Sequence, residues 1–230
     1  MKIMRFEHVG LIKKEHVILR DISLAIEPGS IVGIAGPSGS GKSSLLRLMN
    51  LLESPTEGTI LYKDKNIMEY DPMELRSQVG YVLQKPYIFA GTVEDNLVYA
   101  YNLRNLKPDK TEILKFMEKL NLTPDFLNKK RSEMSGGEQQ RIALIRSLLI
   151  KPQVVLLDEI TAALDENNTM ILENFIKNLN QTLGITVIFV THNPGQLKRL
   201  SQKVIYIKNG EVEFCDSADK YFSREEQING

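Results

Sequence analysis

Eight residues near the N-terminus have the types and spacing that could bind a polyphosphate. Segment 36–43 fits the pattern G-x-x-x-x-G-K-[ST] between a predicted strand and a helical pattern, although a glycine-rich turn with an incidental lysine is the alternative. The glycines let backbone N–H groups converge on phosphate oxygens at the start of a helix, whose dipole favours anions. Lys42 would reach the β- and γ-phosphates, and Ser43 would bind Mg²⁺. The predicted phosphate-binding residues are Gly36, Pro37, Ser38, Gly39, Ser40, Gly41, Lys42, Ser43 and Ser44.

Two adjacent acids, Asp158 and Glu159, end an apolar run that is typical of a buried strand. Neighbouring side chains on a strand point to opposite faces, so the two carboxylates cannot do the same work. Asp158 is suited to the coordination shell of Mg²⁺, together with Ser43 of the phosphate loop. Glu159 is then free to orient or deprotonate the water that attacks the γ-phosphate. The alternative is a pair of solvated acids at the end of a strand.

A third candidate is the start of an apolar-periodic helix, where Ser135 precedes Gly136 and Gly137. Ser135 is a good N-cap, and paired glycines let a ligand approach the backbone closely. A serine hydroxyl beside bare N–H groups can bind an anion. A capped helix that binds nothing would have the same residues, so both interpretations stay open for this segment on its own.

Five short apolar runs bounded by turn residues predict the strands that position these groups. Helical patterns lie between the runs, which favours an α/β fold with a mainly parallel central sheet. The N-terminal stretch to Ile26 and the run 59–62 predict an antiparallel edge, and Asn209-Gly210 predicts a hairpin. The predicted strands cover residues 31–35, 79–83, 154–158, 186–191 and 204–208.

Helical patterns without a convincing strand fill the stretch from Pro86 to Met134. Asp109 followed by Glu112 predicts a capping box, and an apolar stripe with helical spacing follows, for which packing is the expected role. We interpret residues 1–230 as one domain, in which an inserted helical subdomain (86–150) includes the helix that starts at Ser135. Residues 1–85 and 151–230 would form the nucleotide-binding core with its antiparallel part. The stripe consists of Ile113, Leu114, Phe116, Met117 and Leu120.

The composition is that of an ordinary soluble domain, with 230 residues, 42% of them apolar, and 29 basic against 29 acidic side chains. This balance offers no general attraction to nucleic acid or to an anionic membrane, and no nucleic-acid partner is expected. The single cysteine, Cys215, fits a reducing compartment. No apolar run approaches the ~18 residues of a membrane helix, and the charged N-terminus does not resemble a secretory signal. We therefore expect a soluble, intracellular chain.

Taken together, the motifs resemble those of ATP-binding cassette (ABC) ATPases over nearly the whole chain. Six motifs stand in the family's order: the phosphate loop, Gln84, the S-G-G-E-Q-Q-R signature from Ser135, Asp158-Glu159, Ala163-Leu164-Asp165 and His192. The resemblance implies a P-loop NTPase (RecA-like) core, ATP and Mg²⁺ as ligands, and ATP hydrolysis as the activity.

The resemblance also implies roles for residues outside the phosphate loop. Gln84 would contact Mg²⁺ or the attacking water, His192 would contact the γ-phosphate, and Asp165 would lie at a dimer interface. By residue type alone, Gln84 could be a solvated loop residue, Asp165 a helix N-cap and His192 a satisfied histidine. Two chains would dimerise head to tail, so that the phosphate loop of one chain and the signature of the other enclose one ATP. The signature residues in that contact would be Ser135, Gly136, Gly137 and Glu138.

The sequence departs from the family pattern at three places. Many members stack adenine on an aromatic residue where this chain has Leu11 and Ile12, so apolar contact would replace base stacking, and the preference for ATP over GTP stays open. Glu138 stands where glutamine is most frequent, with the serine and both glycines kept. Ile160 replaces a frequent proline after Glu159, which we expect to be tolerated.

The short segment between the phosphate loop and the signature favours a transporter subunit over DNA-maintenance relatives, which insert coiled coils or zinc modules there. A separate transmembrane permease would then supply the membrane spans and hold the chain at the inner face of the cell membrane. The contact would fall near residues 84–98, with loops 86–89 and 92–93 as candidates. Packing within the subdomain is the alternative for most of these apolar residues.

A narrower resemblance is to the ATPase subunit of bacterial iron-export ABC transporters. It is carried by Val9-Gly10, segment 84–97 and segment 158–166. Export of iron or another metal is thus the expected function. Phosphate or amino-acid import is the alternative, and a non-transport ABC ATPase is a further one. The permease selects the substrate, which the sequence of this chain leaves open.

Overall fold

Two β-sheets and eight surrounding α-helices make up the part of the chain that the computed structural model describes, residues 1–162 and 164–229. The strands are β1 (Met4–Lys13), β2 (His16–Ile26), β3 (Ile31–Ala35), β4 (Glu57–Tyr62), β5 (Lys65–Asn66), β6 (Val79–Val82), β7 (Val154–Asp158), β8 (Thr186–Val190), β9 (Lys203–Lys208) and β10 (Glu211–Ser217). The helices are α1 (Lys42–Leu48), α2 (Pro72–Gln78), α3 (Val93–Asn102), α4 (Lys110–Lys119), α5 (Gly136–Leu149), α6 (Glu166–Leu183), α7 (Pro194–Leu200) and α8 (Ala218–Asn229). None of the described helices combines the length and the apolar character that crossing a bilayer requires.

The central sheet has the strand order β10-β9-β3-β8-β7-β6, and every pairing in it is parallel except that of β10 with β9. All five residues of β3 are buried because both faces of this sheet are covered. Val32 and Ile34 pack toward the second sheet, whereas Ile31 and Ala35 pack toward the helices on the opposite face. The predicted α/β fold with a mainly parallel sheet is confirmed.

The second sheet is antiparallel, with the order β2-β1-β4-β5, as expected for the N-terminal stretch and the run 59–62. Its inner face shares one apolar core with the central sheet. The predicted hairpin at Asn209-Gly210 joins β9 to β10, and both turn residues have positive φ (51° and 79°), as a tight two-residue hairpin turn requires.

The carboxyl ends of four parallel strands position the candidate residues at one edge of the central sheet. The phosphate loop follows β3, Gln84 follows β6, Asp158 ends β7 with Glu159 directly after it, and His192 follows β8. Ligands of open α/β sheets bind beyond this edge. The topology therefore gathers side chains that are far apart in the sequence.

The segment between β6 and β7 is helical, as predicted, and it packs through α3, α4 and α5. Its predicted capping box is only half formed. Asp109 accepts from the backbone N–H of Glu112 (3.0 Å), but the Glu112 carboxylate accepts from the Tyr101 hydroxyl (2.8 Å) and pairs with Lys151 (3.3 Å). In a complete capping box, the Glu112 carboxylate would accept a hydrogen bond from the backbone N–H of Asp109. Here a hydroxyl group and a charged side chain hold that carboxylate instead. The division of the chain into a core and a helical subdomain stays a prediction.

Candidate functional site

Segment 36–43 joins β3 to α1, and close contacts fix two of its glycines. Gly36 has φ 139°, and a Cβ there would lie 1.9 Å from the carbonyl oxygen of Ile207. Gly41 has φ 101°, and a Cβ there would lie 2.6 Å from Cδ2 of Leu19. Glycine is required at both positions by space and by conformation. The loop is therefore held between β9 and β2.

Lys42 is buried at the base of this loop, with its side chain folded under the backbone. Its Nζ donates hydrogen bonds to the carbonyl oxygens of Gly36 (3.0 Å) and Pro37 (2.6 Å). Burial lowers the pKa of Lys42, and the negative charges of Glu159 and Asp158 oppose this effect. The ammonium group thus lies beneath an exposed loop tip, where a phosphate group can replace the two carbonyl oxygens as its partner.

Asp158, at the end of β7, is held from two sides. Its Oδ1 accepts a hydrogen bond from the Ser43 hydroxyl (2.9 Å), and its Oδ2 accepts one from the Tyr81 hydroxyl (2.7 Å). Burial, with the hydrogen bond to Asp158, raises the pKa of Tyr81 well above its ordinary value. One carboxylate and one hydroxyl are ligands that suit a Mg²⁺ ion accompanying phosphates. Ser43 and Asp158 are hence the residues that would hold the metal.

Glu159 faces a different set of side chains from Asp158, although it lies one residue beyond the end of β7, where strand alternation no longer applies. Its Oε2 accepts from Nε2 of Gln84 (2.7 Å), and its Oε1 lies 2.9 Å from Nε2 of His192. Its backbone is left-handed, with φ 50°, which is uncommon for a residue with a side chain. A hydrogen bond from its N–H to the carbonyl oxygen of Val190 (3.2 Å) supports this conformation. The backbone thus aims the carboxylate at the space between Gln84 and His192.

The segment that begins at Ser135 is an exposed, capped helix start. The Ser135 Oγ accepts from the backbone N–H of Glu138 (3.2 Å), and the Glu138 carboxylate accepts from the backbone N–H of Ser135 (2.6 Å). A Cβ at Gly136 would meet open space, so a ligand can approach the backbone there. Among the described residues, no hydrogen bond joins this segment to the phosphate loop. Its contact with ATP stays a prediction, and Glu138 is observed as a capping residue that also pairs with Lys129 (3.8 Å).

Asp165 is the N-cap of α6, which is the alternative that its residue type suggested. Its two carboxylate oxygens accept from the backbone and side-chain amides of Asn168 (2.7 Å each), and these bonds lower the pKa of Asp165. Asn168 also accepts a hydrogen bond from Arg141, so this turn is tied to α5. Ala163, in the same predicted motif, lies outside the described residues. The place of Asp165 at a dimer interface stays a prediction.

The structure therefore brings one group of predicted residues together and leaves the signature apart from it. Gln84 bonds to Glu159, and among the described residues it makes no hydrogen bond to Ser43 or Asp158. Its contact with the carboxylate of Glu159 is observed, whereas its metal-binding role stays a prediction. The members of the assembled group are Lys42, Ser43, Gln84, Asp158, Glu159 and His192.

The candidate docking loops contain both buried aliphatic side chains and exposed aromatic rings. Ile88 and Val93 are buried, so for them the packing alternative is correct. Tyr87 is 58% exposed, and its ring packs edge-on against Phe89, which in turn contacts Tyr99. An aromatic surface of Tyr87, Phe89 and Tyr99 therefore remains available to a partner.

The structure also separates the two residues that replace the adenine-stacking aromatic. Leu11 is buried and cannot meet a base, which corrects the expectation for it. Ile12 and Val17 are exposed cross-strand neighbours near the tip of the β1–β2 hairpin. The next residue, Ile18, places its carbonyl oxygen 3.0 Å from a Cβ built on Gly41, so this apolar pair adjoins the phosphate loop.

One residue of the site, Tyr81, escaped the sequence analysis, as did the burial of Arg141, the last residue of the signature. Tyr81 stands in the predicted apolar run 79–83, where an aromatic residue is typical of a core strand. Its only signal was a hydroxyl group in a strand that pairs with the strand ending in Asp158. Arg141 lies in an apolar-periodic helix, and its near-complete burial gave no signal in the residue pattern.

Comparisons with known proteins show which family this chain resembles. A family model described as ABC transporter matches residues 19–162. The probable iron export ATP-binding protein FetA of Escherichia coli (strain K12) is 39% identical over 90% of this chain and 91% of that protein. The phosphate import ATP-binding protein PstB of Saccharolobus solfataricus is 36% identical over 96% of this chain and 90% of that protein.

Two solved structures extend the comparison to the fold. The first is cbiO1 from Clostridium perfringens, part of the ABC transporter complex cbiONQ, with a TM-score of 0.85 at 26% identity, covering 99% of this chain and 93% of that chain. The second is a dimeric ATP-binding cassette in a post-hydrolysis state, bound to ADP and Pi. It has a TM-score of 0.83 at 30% identity and covers 93% of this chain and 98% of that chain.

The phosphate loop, the two carboxylates and the parallel sheet define a P-loop ATPase. The matched family model spans more than half of the residues, and the chain belongs to the ABC transporter family. It is an ATP-binding, ATP-hydrolysing subunit of that family, as the motifs indicated.

Proposed function

We propose that this chain drives a solute through a separate transmembrane permease by hydrolysing ATP between two copies of itself. The observation that carries the proposal is the position of Glu159 between Gln84 and His192, beside the Ser43–Asp158 pair. A carboxylate held in this way can accept a proton from water, which a simple binding module does not need.

The residues of the site divide the work of hydrolysis. Lys42 exchanges its loop carbonyl oxygens for the β- and γ-phosphates and offsets their charge. Asp158 and Ser43 would hold Mg²⁺, which would supply neutralisation of the phosphate charge. Glu159 orients a water molecule and takes its proton, while Gln84 and His192 fix the carboxylate. His192 also reaches the γ-phosphate.

A second copy of the chain would complete each site. In one chain the signature segment at Ser135 is exposed and makes no hydrogen bond to its own phosphate loop. The loop tip, Asp165 and His192 are exposed as well, so each copy presents two complementary halves. A head-to-tail dimer with two enclosed ATP molecules satisfies both halves at once.

The exposed pair Ile12 and Val17 provides an apolar platform for adenine beside the phosphate loop. We expect Val17→Ser to weaken ATP binding about fivefold, because losing roughly 40 Å² of apolar contact costs ~1 kcal/mol. An aliphatic surface makes no base-specific hydrogen bond, so GTP should bind within about tenfold of ATP.

Isothermal titration calorimetry with ATP and GTP checks this expectation. Val17→Ile is the matched control, because it keeps the apolar contact and should keep the wild-type Kd. An unchanged Kd for Val17→Ser would place the base elsewhere on the protein.

The aromatic surface formed by Tyr87, Phe89 and Tyr99 supports docking of the permease. It lies on the stretch between Gln84 and the end of α3, so a partner there touches the segment that carries Gln84. Arg146 lies over the Phe89 ring (4.6 Å) and donates to the Tyr87 carbonyl oxygen (2.7 Å), which stiffens this surface. Exposed aromatic rings beside an arginine are typical of protein interfaces. The chain would thereby be held at the inner face of the cell membrane.

Metal export, with iron as the leading solute, is the proposed transport reaction. The similarity to the iron export ATP-binding protein FetA supports it, since that protein is matched over nearly its whole length. Phosphate import is the second candidate, because PstB is matched over a similar share of its length.

Deleting the gene in its host and measuring cell-associated iron and phosphate uptake separates the two candidates. Under iron load we expect the deletion strain to retain more iron than its parent. The wild-type gene should restore export, and the Glu159→Gln gene should not. Reduced phosphate uptake with unchanged iron would favour import instead.

A further inference from the structure

The carboxylate of Asp158 is fixed by two elements that approach it from different directions. α1 supplies the Ser43 hydroxyl to Oδ1, and β6 supplies the Tyr81 hydroxyl to Oδ2. Asp158 is 4% exposed, so these two hydroxyl groups are its polar partners in a nearly closed environment. Binding of a metal ion would affect the hydrogen bonds from Ser43 and from Tyr81 differently.

The bond from Ser43 is the one that metal binding would alter. If Ser43 and Asp158 both held Mg²⁺, the Ser43 oxygen would offer lone pairs to the metal, and its contact with Oδ1 would be at least partly exchanged. The bond from Tyr81 needs no such exchange, because it uses the other carboxylate oxygen. Tyr81 is then the group that keeps the carboxylate in one orientation.

Arg47 is a charged neighbour of Tyr81. It lies one helical turn after Ser43 on α1, and its positive charge opposes the rise in the pKa of Tyr81. Arg47 also contacts Glu53 (3.4 Å), which pairs with Lys13 on the β1–β2 hairpin (2.6 Å). The helix that carries Ser43 therefore also places a positive charge near Tyr81.

We propose that Tyr81 is a positioning residue that presents Asp158 to Mg²⁺. This inference rests on the proposed metal-binding role of Asp158. Groups that orient a metal ligand from behind change metal affinity by about 10–100-fold when they are removed. Because Tyr81→Phe removes one oxygen atom and keeps the ring, we expect the Mg²⁺ concentration for half-saturation to rise about tenfold.

The test is a titration of the full chain with MgCl₂ in the presence of a fluorescent ATP analogue, with a metal-free baseline in EDTA. The matched control is Tyr62→Phe, since Tyr62 is also buried but its hydroxyl bonds to Gln78 and Gln153 (3.4 Å each), away from the site. Tyr81→Phe should shift the Mg²⁺ curve and keep the metal-free binding. Tyr62→Phe should change neither.

Asp158→Asn separates a failure of this inference from a failure of the proposed function. If Asp158→Asn shifts the Mg²⁺ curve and Tyr81→Phe does not, the role of Tyr81 is overturned and that of Asp158 stands. If Asp158→Asn causes no shift, both are overturned. An equal loss of metal-free binding in Tyr81→Phe would show a damaged loop and overturn the inference too. Thermal unfolding of each variant verifies its fold, and Tyr81→Met, which also lacks the hydroxyl, replaces a Phe variant that does not fold.

Discussion

Replacing Glu159 with Gln should lower ATP turnover by ~10²–10⁴ while ATP binding persists, because this is the usual contribution of a positioned base. The amide has the shape of the carboxylate but cannot take a proton from water. Lys42, Ser43 and Asp158 are untouched by the change, so the phosphate and metal contacts remain. Phosphate release under saturating Mg-ATP measures the fall, and nucleotide affinity is measured separately.

The same variant should accumulate as a dimer when Mg-ATP is present, because the enclosed nucleotide is no longer hydrolysed. Light scattering with and without Mg-ATP reports this shift in mass. Glu211→Gln is the matched control, since Glu211 is exposed on β10 and pairs only with Arg20 among the described residues. Full turnover in Glu159→Gln would remove Glu159 from the role of base.

Two inactive variants should restore hydrolysis when they are mixed, and this is the second large effect. Lys42→Ala removes the phosphate-binding ammonium, and Gly136→Glu places a negative charge on the signature segment. Each alone should lose about 100-fold or more in turnover. In a mixed dimer one site combines both defects, whereas the other combines an intact phosphate loop with an intact signature. Equal mixing should therefore recover about one quarter of the wild-type rate, if pairing is random and the sites act independently.

Measurement of phosphate release over a range of mixing ratios tests this reciprocity. Gly136→Glu is suited to the purpose because a Cβ at that position meets open space and the Ser135 cap is left in place. A mixture that remains as inactive as its components would mean that one chain completes its own site, as in a self-contained NTPase.

Much of the site could be predicted because its residues obey local rules. A glycine-rich loop between a buried strand and a helix has few structural solutions, and Gly36 and Gly41 adopt backbone angles that suit glycine. Strand alternation predicted different roles for Asp158 and Glu159, and the two carboxylates do contact different side chains, but Glu159 lies beyond β7 and its left-handed backbone sets its direction. The parallel order then brought His192 to the same edge, since parallel strands end on the same side of a sheet.

The features of the fold and of the site that could not be predicted depend on contacts between distant segments, which residue patterns do not encode. Tyr81 looks like a core residue until its strand is placed beside that of Asp158. Glu112 satisfies the capping pattern, yet its carboxylate is drawn to Tyr101 and Lys151. The left-handed backbone of Glu159 has no signal in the sequence, because residues other than glycine adopt it only where neighbouring strands support it.

If the Ser135 segment serves the phosphate loop of a second copy, as we propose, the activity depends on concentration. If neither half of the site works alone, free chains hydrolyse ATP at a rate that rises with the square of their concentration. They would therefore lose this activity on dilution. Two copies fixed side by side on a permease meet at an effective concentration in the millimolar range, as short tethers provide. Placement at the membrane would therefore act as an on-switch, and unassembled copies would leave the cellular ATP pool untouched.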